Sequence, residues 1–369
     1  MQTNKTIGVM AVIVIVFVGI VIARTHTKRS PGVIPIGGAF ALTGDVAVYG
    51  ASDRDGAQMA VDDINAAGGI NGTKLQLLIE DTKSTPKDTV TAFTKLQSVD
   101  GAQYFIVSFL DSYPGAESLV KNNELLISPD AAVEAMNGTV AHPNVFGTFY
   151  RTQPKSELAI KQMIATGKKR LYIVANNDAY YTSAVGYMKE AAQRLGLQIV
   201  GIDMLGSSAT AKDFLPKIKA SGADAVFFSV LDKKIYVDFL QHKDQFIKGV
   251  SFYTDEGATA YLTPEYVRYM EGALFYTNVD APKSFLDAFK AKFGHDPEIT
   301  ASVSYDSIKI MAQVMKDAPA DISGYMRSRT FDTMSYGRVT FDSLGGIQTD
   351  TKYFVMKQIT NGVPVVVYQ

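Results

Sequence analysis

Residues 51–81, ASDRDGAQMAVDDINAAGGINGTKLQLLIED, change their hydrophobic period part-way along. Ala57, Ala60, Val61 and Ile64 recur at helical spacing, so residues 51–66 read as a helix with one face to a core. The run Gly68-Gly69-Ile70-Asn71-Gly72 supplies residues that tolerate positive φ and stop that helix. Residues 74–81, KLQLLIED, follow as a strand. With the short apolar strand VIPIGGAFA (33–41) ahead of it, the stretch is a strand–helix–strand unit, which points to a parallel sheet.

The unit repeats along the chain. Helix 86–99, strand QYFIVSFL (103–110), helix 114–122 and strand ELLISP (124–129) extend it. The alternation restarts after Arg151 with helix 155–166, strand RLYIVAN (170–176), helix 182–195 and strand 197–204. Helix 211–220, strand ADAVFFSV (223–230), helix 232–242 and strand GVSFYT (249–254) complete that run. A long helix at 301–317 and the β-like pieces RVTFD (338–342), YFVMKQI (353–359) and VPVVVY (363–368) close the chain. Two alternating runs predict an α/β protein of two doubly wound parallel-sheet lobes.

At 369 residues the chain is long enough for two domains. Its 47% hydrophobic and 20% charged residues are those of an ordinary folded protein. A net charge of −1 gives no electrostatic footprint for nucleic acid. With no cysteine there is no disulfide, thiolate metal site or cysteine nucleophile. Residues 7–23, IGVMAVIVIVFVGIVIA, are uncharged and would make a helix of roughly 26 Å, just enough to span a bilayer. They read as an N-terminal membrane anchor or, with small-residue spacing at Val21-Ile22-Ala23, as a cleaved signal. Arg24, Lys28 and Arg29 after the run would by the positive-inside tendency hold the following side in the cytoplasm. The exported character of the remainder argues the other way.

Catalytic signatures are missing. The four histidines, His26, His142, His242 and His295, show no metal-ligand spacing, and neither H-E-x-x-H nor G-x-S-x-G occurs. No phosphate-binding glycine loop or dinucleotide fingerprint occurs either, so no catalytic residue, metal or cofactor is expected. Asn71 and Asn137 each begin an N-G-T triplet, which turn chemistry explains. Binding is the leading class of function. Its first marker is YTDEGAT (253–259), two acids and a glycine where a buried strand ends. Ligands of open α/β sheets sit at such carboxyl ends.

Residues 39–90 bring together Leu42-Thr43-Gly44, Tyr49-Gly50, the run INAAGGINGTKLQL and Pro86. This combination resembles the opening of the branched-chain amino-acid-binding proteins of ABC transporters, the type I periplasmic binding fold. LLISPDAA (125–132), RLYIVANNDAYYTSA (170–184), FYTDEGAT and SYDSIKIMAQVM (304–315) resemble later segments of that family. The likeness runs over roughly residues 33–369 and is unspecific for the ligand. It implies an anchor or signal plus linker at 1–30, a first lobe of 31–150 and 278–333, and a second lobe of 151–277 and 334–369. The lobes would be joined by crossings near Arg151, Thr277 and Thr333. It also implies an extracytoplasmic receptor that captures a small amino-acid-like or amide-like ligand and delivers it to an ABC transporter permease. The alternative is a sensory domain reporting to a membrane partner. A transcription regulator on this fold would need a helix-turn-helix where the apolar start stands.

The resemblance also implies the site. Ser112, at a helix N-terminus in the loop SFLDSYPG, would hold a ligand carboxylate. The loop Asp130-Ala131-Ala132-Val133, with Ala131 and Val133 as candidates, would hold the ammonium; the family's threonine is absent there. Glu256 matches the acid that pairs with the ammonium, and Asp255 reads as a turn residue. Tyr49 and Tyr180 match the aromatic residues of the cleft mouth, with Tyr181, Tyr113 and Tyr253 nearby. Asp111 and Asp130 stand close to the expected carboxylate position. At about 4 Å and an effective dielectric of about 20, each would cost about 4 kcal/mol against a carboxylate. If both face the cleft, an aliphatic amino acid is disfavoured; as outward loop caps they would leave it unaffected.

Overall fold

The protein is seen in a computed structural model that describes residues 32–133, 143–348 and 351–369. The apolar segment at 7–23 and Asn137 lie outside the described residues. Among the described residues no helix is long and apolar enough to cross a membrane.

The first lobe begins with β1 (Val33–Phe40), α1 (Ala47–Ala66), β2 (Lys74–Asp81), α2 (Pro86–Ser98), β3 (Tyr104–Val107), β4 (Leu125–Ser128) and β5 (Val145–Gly147). The five strands form one parallel sheet in the order β2-β1-β3-β4-β5. The interior strands are buried on both faces, as βαβ crossovers require. Local signals agree with the elements: Thr85 caps α2 by accepting the Asp88 N–H, and Pro86 fills the first helical position.

The second lobe follows with α3 (Thr152–Ala165), β6 (Arg170–Asn176), α4 (Ala179–Leu195), β7 (Gln198–Leu205), α5 (Ala211–Ser221), β8 (Ala225–Ser229), α6 (Lys233–Phe246), β9 (Ser251–Thr254), the short α7 (Val267–Met270) and β10 (Leu274–Asn278). The chain then returns to the first lobe with α8 (Lys283–Phe293), α9 (Ile299–Asp317), α10 (Ile322–Ser328), β11 (Thr330–Thr333), β12 (Gly337–Phe341) and β13 (Ile347–Gln348). It ends in β14 (Phe354–Thr360) and β15 (Val363–Tyr368). The second sheet runs β15-β14-β10-β9-β8-β6-β7, parallel except for β14 and β15 at one edge. The expected fold class, two doubly wound lobes of the type I periplasmic binding fold, is present.

Three expectations need correction. The helix expected at 114–122 is a single 3-10 turn, Ala116–Leu119. Phe109 and Gly115 ahead of it take φ of 54° and 128°, left-handed conformations that break a helical path. The third crossing does not fall near Thr333. Residues 330–348 form a small antiparallel sheet seated on the first lobe, and β14, from Phe354, is the next strand to belong to the second lobe's sheet. Phe341 stands edge-on to Phe146 at 5.1 Å, Gly346 bridges Gly147, and Arg151 pairs with Asp342. The run RVTFD therefore belongs to the first lobe. Strands β5 and β10, of 3 and 5 residues, are too short for periodicity to mark.

Helix α1 lies against α9, and the approach depends on Gly56. A Cβ there would run into the Ala301 carbonyl. Gly186, on α4, faces open space. Gly56→Ala should lower stability by about 1–3 kcal/mol through overpacking. Gly186→Ala should raise it by up to about 1 kcal/mol through helix propensity. Urea unfolding of the two variants reads both signs.

Candidate functional site

The loops at the carboxyl ends of both sheets face each other around a partly open cavity of about 80 Å³. From the first lobe come Tyr49 on α1, Phe109, Asp111 and Ser112 after β3, Asp130 after β4, and Ile299 and Thr300 at the start of α9. From the second come Tyr180 and Tyr181 at the start of α4, Leu231 after β8, and Asp255, Glu256 and Gly257 after β9. Phe149, at the first crossing, closes the floor between them. The Tyr49 hydroxyl reaches the Gly257 carbonyl at 3.4 Å, a bond that joins the two lobes across the cavity.

Of the expected residues, Tyr49, Ser112, Tyr180 and Glu256 line this cavity, and so do Asp111, Asp130, Tyr181 and Asp255. Ala131 and Val133 stand outside its lining: Ala131 is fully buried, and Val133 packs over Gly147 and Gly346. Tyr253 is buried in the second lobe's core with its hydroxyl 3.3 Å from Thr166, and Tyr113 stands 6.3 Å from the Phe109 ring. Asp255 does turn the chain, accepting the Gly257 N–H at 3.0 Å, while it also bonds Ser229 and faces the cavity. Ser112 caps no helix, because none begins there. Its hydroxyl donates instead to Asp111 at 3.3 Å.

Glu256 has an internal partner. Lys155, in the first turn of α3, has no exposed surface and places its ammonium 2.8 Å from Glu256 Oε1. The Tyr150 hydroxyl donates to the same oxygen at 2.6 Å. The Lys155 ammonium also donates to the Tyr180 hydroxyl at 3.2 Å and lies over the Tyr150 ring at 3.8 Å and the Tyr276 ring at 4.9 Å. Burial and the Glu256 charge push the Tyr150 hydroxyl well above its usual range, so it remains a proton donor. Glu256 Oε2 is buried with no hydrogen-bond partner. Lys155 went unread in the sequence. Its signal is positional: it shares the helical stripe of Ala159 and Met163, an apolar face where a lone lysine needs a buried acid.

The first lobe contributes an acid cluster. Asp130 Oδ1 accepts the Phe109 N–H at 2.6 Å, and Asp53, wholly buried on α1, accepts from Ser108 at 2.8 Å. Burial raises both Asp53 and Asp130 above the ordinary carboxyl range, and Asp53 Oδ1 and Asp130 Oδ2 are buried without a hydrogen-bond partner. Asp111 accepts the Ala132 N–H at 3.0 Å, and its burial lifts it to about 7. Burial and the neighbouring Glu256 lift Asp255 to about 6.

The periplasmic binding protein family model matches residues 33–362. The chain belongs to the periplasmic binding protein family. The resemblance seen in its opening segment therefore holds along its length, and the cavity is that of a solute-binding protein. The chain is similar to an "Amino acid binding protein" of Pseudomonas aeruginosa, 28% identical with 92% of this chain and 93% of the relative covered. It is also similar to a branched-chain amino acid transporter substrate-binding protein of Streptococcus pneumoniae solved with isoleucine (TM-score 0.76, 20% identity, 91% and 100% covered). A further neighbour is an ABC transporter solute-binding protein of R. palustris solved with 4-hydroxybenzoate (TM-score 0.79, 17% identity, 91% and 96% covered). At these identities the two solved structures speak to the fold.

Two outcomes follow for this site. Lys155→Met leaves a buried, uncompensated carboxylate and should cost about 3–5 kcal/mol of stability, much of it recovered in Lys155→Met/Glu256→Gln. Urea unfolding of the cycle measures this. Asp111 and Asp255 bind protons more tightly folded, at about 7 and about 6, than unfolded. Their burial therefore costs nothing below the unfolded pKa of about 4 and its full penalty above the folded one, so stability falls as pH rises between. Thermal unfolding without ligand should show Tm dropping from about pH 5 to pH 8, less steeply in Asp111→Asn.

Proposed function

We propose that this protein is an extracytoplasmic receptor that closes on a small amino-acid-like or amide-like solute and delivers it to an ABC transporter permease. The observation that carries this is the cavity between two lobes, lined from both and bridged by Tyr49 and Gly257. A site divided in this way is complete only when the lobes meet, so ligand binding and closure are one event. A permease can then distinguish the loaded receptor by its shape. The relative named an amino acid binding protein supports a small solute that carries an amine. Residues 7–23 would tether the receptor to the outer face of the membrane or direct its export. Tyr49, Ser112, Tyr180 and Glu256 are the proposed contacts, with Asp111 and Asp130 beside them; Ala131 and Val133 would support their loop from behind.

A thermal-shift screen against amino acids, amides, ureas, amines and aromatic acids tests the function. A ligand at about 1,000 times its dissociation constant stabilises by about 4 kcal/mol, which raises Tm by several degrees. Silence across the whole panel would refute the receptor function. For a ligand so found, Tyr49→Phe should weaken binding by about 0.5–1.5 kcal/mol through loss of the bond across the cavity, with little change in unliganded Tm.

A further inference from the structure

We infer that the solute is a small organic amine or guanidine without a carboxylate, its positive group held by Asp111 and Asp130, because Lys155 already occupies the place of a ligand ammonium at Glu256. This rests on the receptor function proposed above and names the chemistry of its solute.

Glu256 Oε1 is taken twice, by the Lys155 ammonium at 2.8 Å and by the Tyr150 hydroxyl at 2.6 Å. A second ammonium on this carboxylate would face the first at close range in a dry site, where like charges repel strongly. What remains is Glu256 Oε2, a buried atom on a residue 8% exposed that lines the cavity; this oxygen has no partner. It can accept an N–H from the ligand's uncharged part or from the far arm of a guanidinium.

The remaining charge is of one sign. Asp111, Asp130 and Asp255 line the cavity, and no lysine, arginine or histidine joins them there among the described residues. Asp130 leaves its buried Oδ2, and the adjoining Asp53 its Oδ1, without a hydrogen-bond partner. When the cleft closes and water leaves, these acids stay ionised only opposite a cation. A carboxylate would meet the opposite conditions. The helix N-terminus that could hold one after β3 is replaced by a four-residue 3-10 turn, and the Ser112 hydroxyl is turned to Asp111. The rings of Tyr49, Phe109, Phe149, Tyr180 and Tyr181 supply an apolar wall that accepts an alkyl or aryl body and favours a cation over its faces.

The test compares molecules that differ only in the carboxylate. Isothermal titration of the full chain would set 3-methylbutylamine against leucine, phenethylamine against phenylalanine and agmatine against arginine. At least one amine should bind, and its parent amino acid should bind at least about tenfold more weakly. Asp111→Asn should weaken that amine by about tenfold or more. An amino acid binding as tightly as its amine, or affinity for benzoate alone, overturns the inference. Silence from every amine and guanidine, while another compound of the screen binds, overturns it and leaves the receptor function standing. Silence from all compounds overturns both. Unchanged amine affinity in Asp111→Asn overturns the assignment of the positive group to Asp111 and Asp130.

Discussion

The site is organised around one buried ion pair. Lys155 has no exposed surface, so its charge persists only because Glu256 and a shell of aromatic rings stand around it. The partners come from separate parts of the chain: Tyr150 just before the first helix of the second lobe, Lys155 in that helix, and Glu256 at the end of β9. Tyr150 also packs on Tyr336 at 5.9 Å, in the turn before β12, and on Phe354 at 5.2 Å, beside the third crossing. The pair thus fixes the turn after β9 to the hinge region. Buried pairs seldom stabilise a fold more than hydrophobic residues of similar volume would. Its consequence here is electrostatic: it neutralises the acid that would otherwise draw a ligand cation into the second lobe.

The architecture was legible because each unit carries its own period. Strand 170–176 and helix 211–220 stand almost where periodicity put them, and Thr210 with Asp213 forms the capping box that starts the latter. Segments of mixed signal failed. Pro114-Gly115 looked like a helix start, yet Gly115 at φ 128° turns the chain away. The RVTFD strand carried a sound local signal, but which lobe it joins is decided by Phe341 on Phe146 and by Arg151 with Asp342, contacts some two hundred residues apart in sequence.

Residue types in the site were partly legible, and their partners were not. Tyr49, Tyr180 and Glu256 stand in motifs, so their place at the strand ends could be anticipated. Whether Asp111 and Asp130 face inward depends on Phe109 in its left-handed conformation, whose N–H turns to Asp130. No short-range pattern encodes that. Lys155 was hidden for a different reason: a lysine on a helix is ordinarily a solvent-facing residue, and only its position on the Ala159–Met163 stripe marks it as buried.

The two lobes therefore bring unequal charge to the cleft. The second lobe's Glu256 arrives neutralised by its own lysine, and the first lobe's Asp111 and Asp53–Asp130 pair arrive without a cation among the cavity-lining residues. In the open form, water solvates these acids. Drawing the lobes together about the Tyr49–Gly257 contact takes water from these acids, so their ionised forms carry a desolvation penalty unless something positive is inside. An empty cleft is in this way biased toward opening by the same acids that favour closing over a cation. Selectivity and conformational coupling then have one physical origin. A ligand that does not answer the first lobe's charge cannot hold the lobes together, whatever apolar contact it makes with the rings.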